Sequence, residues 1–371
     1  LTASFAAADT IKIGALFDLS GRAAFIGTPT KLVAEMVVDK INAEGGINGR
    51  QLELVVADTE ADPAKAVSII RRFIHRDQVV AIIGPTLTDV GMAVKPHIDK
   101  GQIPIIMTVG GDPVIMGGQF GSFEWVFKSP QRSSTAVERM FIYLKEKGLT
   151  KVAVLAAADG FGKDGERWME SLAPQYGIEI IAKESFGTRD TDMTAQLTRL
   201  RNSNPQAILT WTIGPAGSIV AKNRVQLGID IPLFQCHGLP DPKYIELAGP
   251  AASEGNRMPS TKLMVADELP DSDPQKATIQ EFIRLYRERG YESQFPINTH
   301  SGYAWDAIMM IANAIEQAGT EAAALRDAIE KTSNYVGISG TFTLSADDHN
   351  GLDVDSMVIV QVRNGQFTLA D

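Results

Sequence analysis

Residues 160–165 read Gly-Phe-Gly-Lys-Asp-Gly and follow an apolar run, with Glu184 further along the chain. This is the pattern of a dinucleotide-binding loop, in which glycines let the backbone approach a pyrophosphate and an acid roughly 20 residues on holds a ribose. The activity it implies is that of an NAD-dependent oxidoreductase. Two carboxylates argue against it. Asp159 precedes the first glycine and Asp164 lies inside the motif, so both would stand beside a bound pyrophosphate, where negative charge is unfavourable.

Other reactive residue types are sparse or badly spaced. The histidines stand at 75, 97, 237, 300 and 349, with no pair at metal-ligand spacing, and His75 and His97 fall on solvated helix faces. There is no phosphate-binding P-loop, no G-x-S-x-G elbow and no H-E-x-x-H. Glu60, Asp62, Asp347 and Asp348 are not spaced as calcium ligands and suit turns. Cys236 is the single cysteine, which excludes an internal disulfide and any four-cysteine zinc site. On these patterns no catalytic residue, cofactor or metal is expected. Among binding groups, Thr88 opens a helical pattern after the apolar stretch 81–84. It suits either a plain N-cap or a hydroxyl aimed, with its neighbouring amides, at an anion. His237 is either a core or solvated histidine or a group that meets a ligand.

The elements that must position these residues alternate. Strand-like runs at 11–17, 52–57, 79–83 and 103–108 are separated by helical patterns at 28–43 and 63–76. The rhythm restarts after Pro130, with helices at 133–147, 163–176, 193–201 and 215–227 between strands at 152–156, 178–182, 207–211 and 232–235. Such alternation predicts an α/β fold, and uniformly apolar strands predict parallel sheets covered on both faces. Three helices at 275–289, 300–318 and 321–331 and a hairpin turning at Asn364-Gly365 are too few for a third domain. The prediction is therefore two doubly wound parallel-sheet lobes joined by a three-crossing hinge. Lobe 1 takes 11–129 and 258–335, lobe 2 takes 130–257 and 336–371, and the crossings fall near 128–131, 255–260 and 334–339. Ligands in such sheets bind beyond the carboxyl ends of strands, which directs attention to the loops after 17, 84, 108, 157, 211 and 235.

The chain has 371 residues, 44% of them hydrophobic, enough for two cores, and a formal charge of -10 that disfavours nucleic acid and anionic membrane surfaces as partners. No apolar run reaches the roughly 20 residues that span a bilayer. Residues 1–8 are mostly small and apolar and end in three alanines, the composition of a signal-peptide remnant. Export is expected, without a lipid-bearing cysteine near the start.

Several segments carry a resemblance that composition does not. They are "IKIGALFDLSG" (11–21), "INAEGGINGRQLELVVAD" (41–58), "AIIGP" (81–85), "IPIIM" (103–107), "GFGKDGERW" (160–168), "WTIGPAG" (211–217), "GYAWDAIMMIANAIEQAG" (302–319) and a late "GQF". In this order they resemble the periplasmic type I solute-binding proteins of ABC transporters, branched-chain amino acid (Leu/Ile/Val) binding subfamily. The resemblance covers nearly the whole chain. It implies the type I periplasmic binding protein fold, a ligand in the interlobe cleft, a periplasmic location, monomeric capture by hinge closure and delivery to an inner-membrane ABC permease. A ligand sensor passing closure to a regulator is the alternative on the same fold. By the family pattern Thr88 meets a ligand carboxylate, and Thr108, Val109, Gly110 and Gly111 form the loop beside it. Where amino acid binders use a hydroxyl residue and an acid to hold the α-ammonium, this chain has Gly111 and His237. An imidazole does not replace a carboxylate opposite an ammonium. The expected ligand is therefore an organic carboxylate without an amino group. Phe25, Phe161 and Trp211 on cleft-facing loops, with Ile26, Thr212 and Ile213 beside them, suggest an aromatic or hydrophobic body.

Overall fold

A computed structural model describes residues 10–371. The segment 1–8, read above as a signal-peptide remnant, lies outside the described residues. From Ile11 the chain alternates strand and helix: β1 (Ile11–Phe17), α1 (Ala24–Ala43), β2 (Leu52–Asp58), α2 (Pro63–Arg72), β3 (Ala81–Ile83), α3 (Thr88–Gly101), β4 (Ile105–Met107) and β5 (Val126–Lys128). These strands form one parallel sheet in the order β2-β1-β3-β4-β5. The order reverses at β1 and β3, so the loops after these strands diverge and leave a crevice between them. Side chains of β1 divide between the faces. Ile13 and Ala15 join the core under α1, whereas Leu16 joins the one under α2 and α3.

The second lobe repeats the scheme with α4 (Ser133–Glu146), β6 (Lys151–Ala157), α5 (Gly160–Tyr176), β7 (Glu179–Phe186), α6 (Thr194–Asn202), β8 (Ala207–Trp211), α7 (Pro215–Gln226), β9 (Leu233–Gln235), α8 (Pro242–Ala248), α9 (Pro250–Ser253) and β10 (Arg257–Thr261). The chain then returns to the first lobe as α10 (Lys276–Glu288), α11 (Tyr303–Ala318) and α12 (Ala322–Glu330), followed by the short pair β11 (Tyr335–Val336) and β12 (Thr341–Phe342). It ends on β13 (Met357–Arg363) and β14 (Gln366–Leu369), antiparallel additions that complete the order β14-β13-β10-β9-β8-β6-β7. Their turn places Asn364 at φ 51° and Gly365 at φ 76°, the left-handed pair that a two-residue hairpin demands.

Two crossings lie later than the sequence rhythm places them. Arg257–Thr261 is not a connector but a strand paired with β13, so the second crossing follows Thr261. Pro259 disguises it. Pairing with β9 is confined to Arg257, so beyond that residue one side of β10 needs no ladder donor and the proline is tolerated. Ile338, Phe342, Leu344 and Leu352 pack in the first-lobe core under α1 and α11, so the third crossing comes just before β13. The polar turn at 345–350 hides this in the sequence. Helix α1 also begins at Ala24 rather than at Thr28 and takes Pro29 inside, where the Phe25 carbonyl forgoes its usual backbone donor.

Candidate functional site

The two lobes meet along a cavity of about 520 Å³, counted with its solvent-open part, whose walls come from the loops after β1, β3, β4, β6, β8 and β9. Among the described residues no group of histidines, cysteines and acids is arranged to hold a metal.

On the first-lobe wall Thr88 is the first residue of α3, and Leu87 is the N-cap without a side-chain bond. The N-cap role considered for Thr88 is thus not the one it plays. Its Oγ1 instead accepts the Gly111 N–H at 3.2 Å, which leaves its own O–H free to donate. A Cβ on Gly111 would lie 2.6 Å from Thr88 Cγ2, so glycine at 111 is what lets Thr88 press against this loop. Thr108 Oγ1 donates to the Pro85 carbonyl at 2.9 Å, tying the loops after β3 and β4 together. The Gly110 carbonyl accepts from Lys128 Nζ at 2.5 Å.

On the second-lobe wall α5 starts at Gly160 because the Asp159 side chain accepts the Gly162 N–H at 2.9 Å. That turn sets Phe161 against the cavity. Trp211, at the end of β8, is fully buried, and its indole occupies the space a side chain at Gly165 would need. His237 packs edge-on between them, its ring centroid 5.5 Å from Phe161 and 5.3 Å from Trp211. Only 2% of His237 is exposed, and neither imidazole nitrogen has a hydrogen-bond partner among the described residues. Burial, and then the nearby Lys128 ammonium, pull its pKa down to about 3, so the ring is neutral. Beside it the Cys236 thiol donates to the Thr212 carbonyl at 2.9 Å, and burial pushes this thiol up to about 12.

Several bonds span the cleft. The Asp112 N–H donates to Asp164 Oδ2 at 2.8 Å, and the Thr299 N–H donates to the Pro240 carbonyl at 2.9 Å. His300 Nε2 lies 3.1 Å from the Gly238 carbonyl, and since a carbonyl only accepts, that nitrogen carries the proton. The Gly160 N–H reaches Asp89 Oδ2 at 3.3 Å. Asp112 is itself fixed by the Ser133 N–H at 2.8 Å and by Lys128 at 3.1 Å, where the first crossing leaves β5. This is a closed conformation.

Of the residues singled out from the sequence, Ile26, Thr88, Thr108, Gly110, Phe161, Ile213 and His237 line the cavity. Phe25, Val109, Gly111, Trp211 and Thr212 do not. Val109 points into the core beneath α3, Gly111 supports Thr88 from behind, Trp211 backs His237 and Phe161, and Thr212 is buried under Cys236. The Phe25 ring instead lies over Gly214 of the other lobe. Sequence reasoning missed Arg22, Thr86, Leu87, Asp89, Asp159, Gly238, His300 and Tyr303 as lining residues. Asp159 and Gly238 adjoin expected positions and were within reach. His300 and Tyr303 arrive from the returning chain at the start of α11, and no local pattern marks them.

The glycines of the 160–165 motif are accounted for by packing. A side chain at Gly162 would run into the Ala157 carbonyl, and one at Gly165 into the Trp211 indole. Asp159 and Asp164 are already engaged as cap and interlobe acceptor. The oxidoreductase alternative is overturned by what the chain is related to.

A family model described as periplasmic binding protein matches residues 10–366. The Leucine-, isoleucine-, valine-, threonine-, and alanine-binding protein of Pseudomonas aeruginosa is 26% identical over 314 residues, covering 84% of this chain and 80% of that protein. Among solved structures, an extracellular ligand-binding receptor from Rhodopseudomonas palustris HaA2 superposes with a TM-score of 0.88 at 23% identity, over 98% of this chain and 100% of that one. A branched-chain amino acid transporter substrate binding protein from Streptococcus pneumoniae, in complex with isoleucine, gives a TM-score of 0.83 at 25% identity over 98% and 99% of the two chains. The family match, the two doubly wound sheets and a cavity between them lead to one assignment: the chain belongs to the periplasmic binding protein family and is a solute binder rather than an enzyme.

Proposed function

We propose that this protein captures a small organic carboxylate without an α-amino group in the periplasm, as a monomer, and presents it to an inner-membrane ABC permease. The observation that carries the reading is His237. The wall that by family resemblance holds the ammonium of an amino acid here holds a buried, neutral imidazole. Such a ring has no charge to offset the desolvation of an ammonium. On the opposite wall Thr88 has a free O–H at the start of α3, where unpaired backbone amides and the helix dipole favour an anion. Arg22, at the rim, adds a cation. Ile26, Phe161 and Ile213 supply an apolar lining for an aromatic or branched body.

Closure follows from linkage. A ligand touching both walls stabilises only the closed arrangement, and a dissociation constant on the order of 1 μM corresponds to about -8 kcal/mol, enough to bias the lobes after the cost of closing. The rim acids Asp89 and Asp159 favour a second reading, in which one of them takes an ammonium and the ligand is an amino acid. A thermal-shift screen separates the two. Non-amino carboxylates should raise the melting temperature and leucine should not, whereas a shift with leucine alone would overturn the proposal.

A further inference from the structure

We infer that His237 is a specificity-determining residue for a neutral hydroxyl, and that the captured carboxylate carries such a hydroxyl on the part lying against the second lobe. This inference rests on the carboxylate reading above and adds the chemistry of the ligand's other end.

The imidazole lines the cavity, yet both of its nitrogens are buried and unpaired among the described residues. A buried polar group without a partner is costly, and native proteins leave few of them. A neutral imidazole presents one donor and one acceptor. A hydroxyl satisfies whichever nitrogen it meets, because it both donates and accepts. An ammonium only donates, and a carboxylate only accepts. A second carboxylate on this side would also lack a counterion, since Lys128 is committed to Asp112 and to the Gly110 carbonyl. The remaining neighbours, Phe161 and Trp211, are aromatic.

His300 extends the same chemistry. Its Nε2–H is spent on the Gly238 carbonyl, so its Nδ1 is left as an acceptor beside the cavity. Tyr303, buried at the same wall, keeps its proton, because burial raises its phenol above the ordinary value. His237, His300 and Tyr303 thus offer the ligand polar but uncharged groups. A hydroxyl on a ring and a hydroxyl on an alkyl chain share this chemistry, and ligand pairs distinguish them.

The test is titration calorimetry on the full chain with 4-hydroxybenzoate against benzoate and 2-hydroxy-4-methylpentanoate against 4-methylpentanoate. It is run on the parent protein, His237→Phe and His237→Gln. Phenylalanine keeps the edge-on contacts with Phe161 and Trp211 but offers no hydrogen bond. The parent should bind the hydroxylated member of at least one pair about tenfold or more tightly. His237→Phe should lose that preference while holding the unhydroxylated partner, and His237→Gln should recover part of it. Equal affinities within both pairs, or a preference that survives in His237→Phe, would overturn the inference and leave the carboxylate reading intact. Binding of none of the four acids, with binding of leucine, would overturn both.

Discussion

Asp112 and Asp164 stand on opposite lobes, and the backbone N–H of the first donates to the carboxylate of the second at 2.8 Å. Arg167 holds the other oxygen of Asp164. Burial, and then the Asp112 charge, raise Asp164 to about 6, so at neutral pH the tie is made by an ionised acceptor in a dry place. A bond to a charged acceptor is worth about 1.5–3 kcal/mol. Asp164→Ala should therefore weaken ligand binding about tenfold or more and raise the radius of gyration of the unliganded protein in small-angle scattering. An unchanged radius and affinity would show that this contact does not help hold the lobes together.

Gly110 and Phe161 approach so closely that a Cβ on the glycine would lie 2.7 Å from the phenylalanine ring. One belongs to each lobe. Gly110→Val should fold normally, since the clash exists only when the lobes close. The unliganded melting temperature should stay within a few degrees of the parent, while the ligand-induced shift disappears. Retention of that shift would mean that the loop yields.

Buried histidines carry a pH signature. The pKa of His237 in the folded state is depressed from 6.5 to about 3, so its contribution to stability is whole above pH 6.5 and is lost as pH falls toward 3. Lys128, Asp112 and His300 are the charged or titratable groups that act on it. At pH 5 the loss is about 2 kcal/mol relative to neutral pH. Denaturant unfolding should show the parent losing about that much more than His237→Phe between pH 7 and pH 5. Parallel pH profiles for the two proteins would contradict this burial.

Cys236 is shielded in the same wall, its thiol raised to about 12 by burial and its proton directed at the Thr212 carbonyl. Since the thiolate is the reactive form, the native protein should resist an aromatic disulfide reagent at pH 8 and react only as fast as it unfolds. Labelling at the rate of a free thiol would place Cys236 in reach of solvent.

Sequence patterning reached most strands, because a parallel strand covered on both faces reads as an uninterrupted apolar run. Ile11–Phe17 and Ala207–Trp211 lie where that pattern puts them. It failed at β10, where Pro259 and two hydroxyl residues are buried by pairing with β13, a partner about a hundred residues away. The site divided in the same manner. Residues following a strand, such as Thr88, Phe161 and His237, were legible from the rule that ligands sit beyond strand ends. Which way a loop residue faces was not. Val109 and Gly110 are adjacent, yet one fills a core and the other lines the cavity. His300 and Tyr303 reach the site through the second crossing, a long-range event that no window of local sequence contains.

The discontinuous first lobe has a kinetic consequence. Ile13 of β1 and Val33 and Val37 of α1 share a core with Ile308 and Ile311 of the returning chain, so that core stays incomplete until α11 is present. The second lobe, by contrast, draws β6 to β10 from one continuous stretch and waits only for its final hairpin. Contacts between residues distant in the chain form slowly, because the intervening loop must close first. The lobe begun first is thus the one finished late, and refolding should proceed in two phases, the slower one reporting the arrival of α11 against α1.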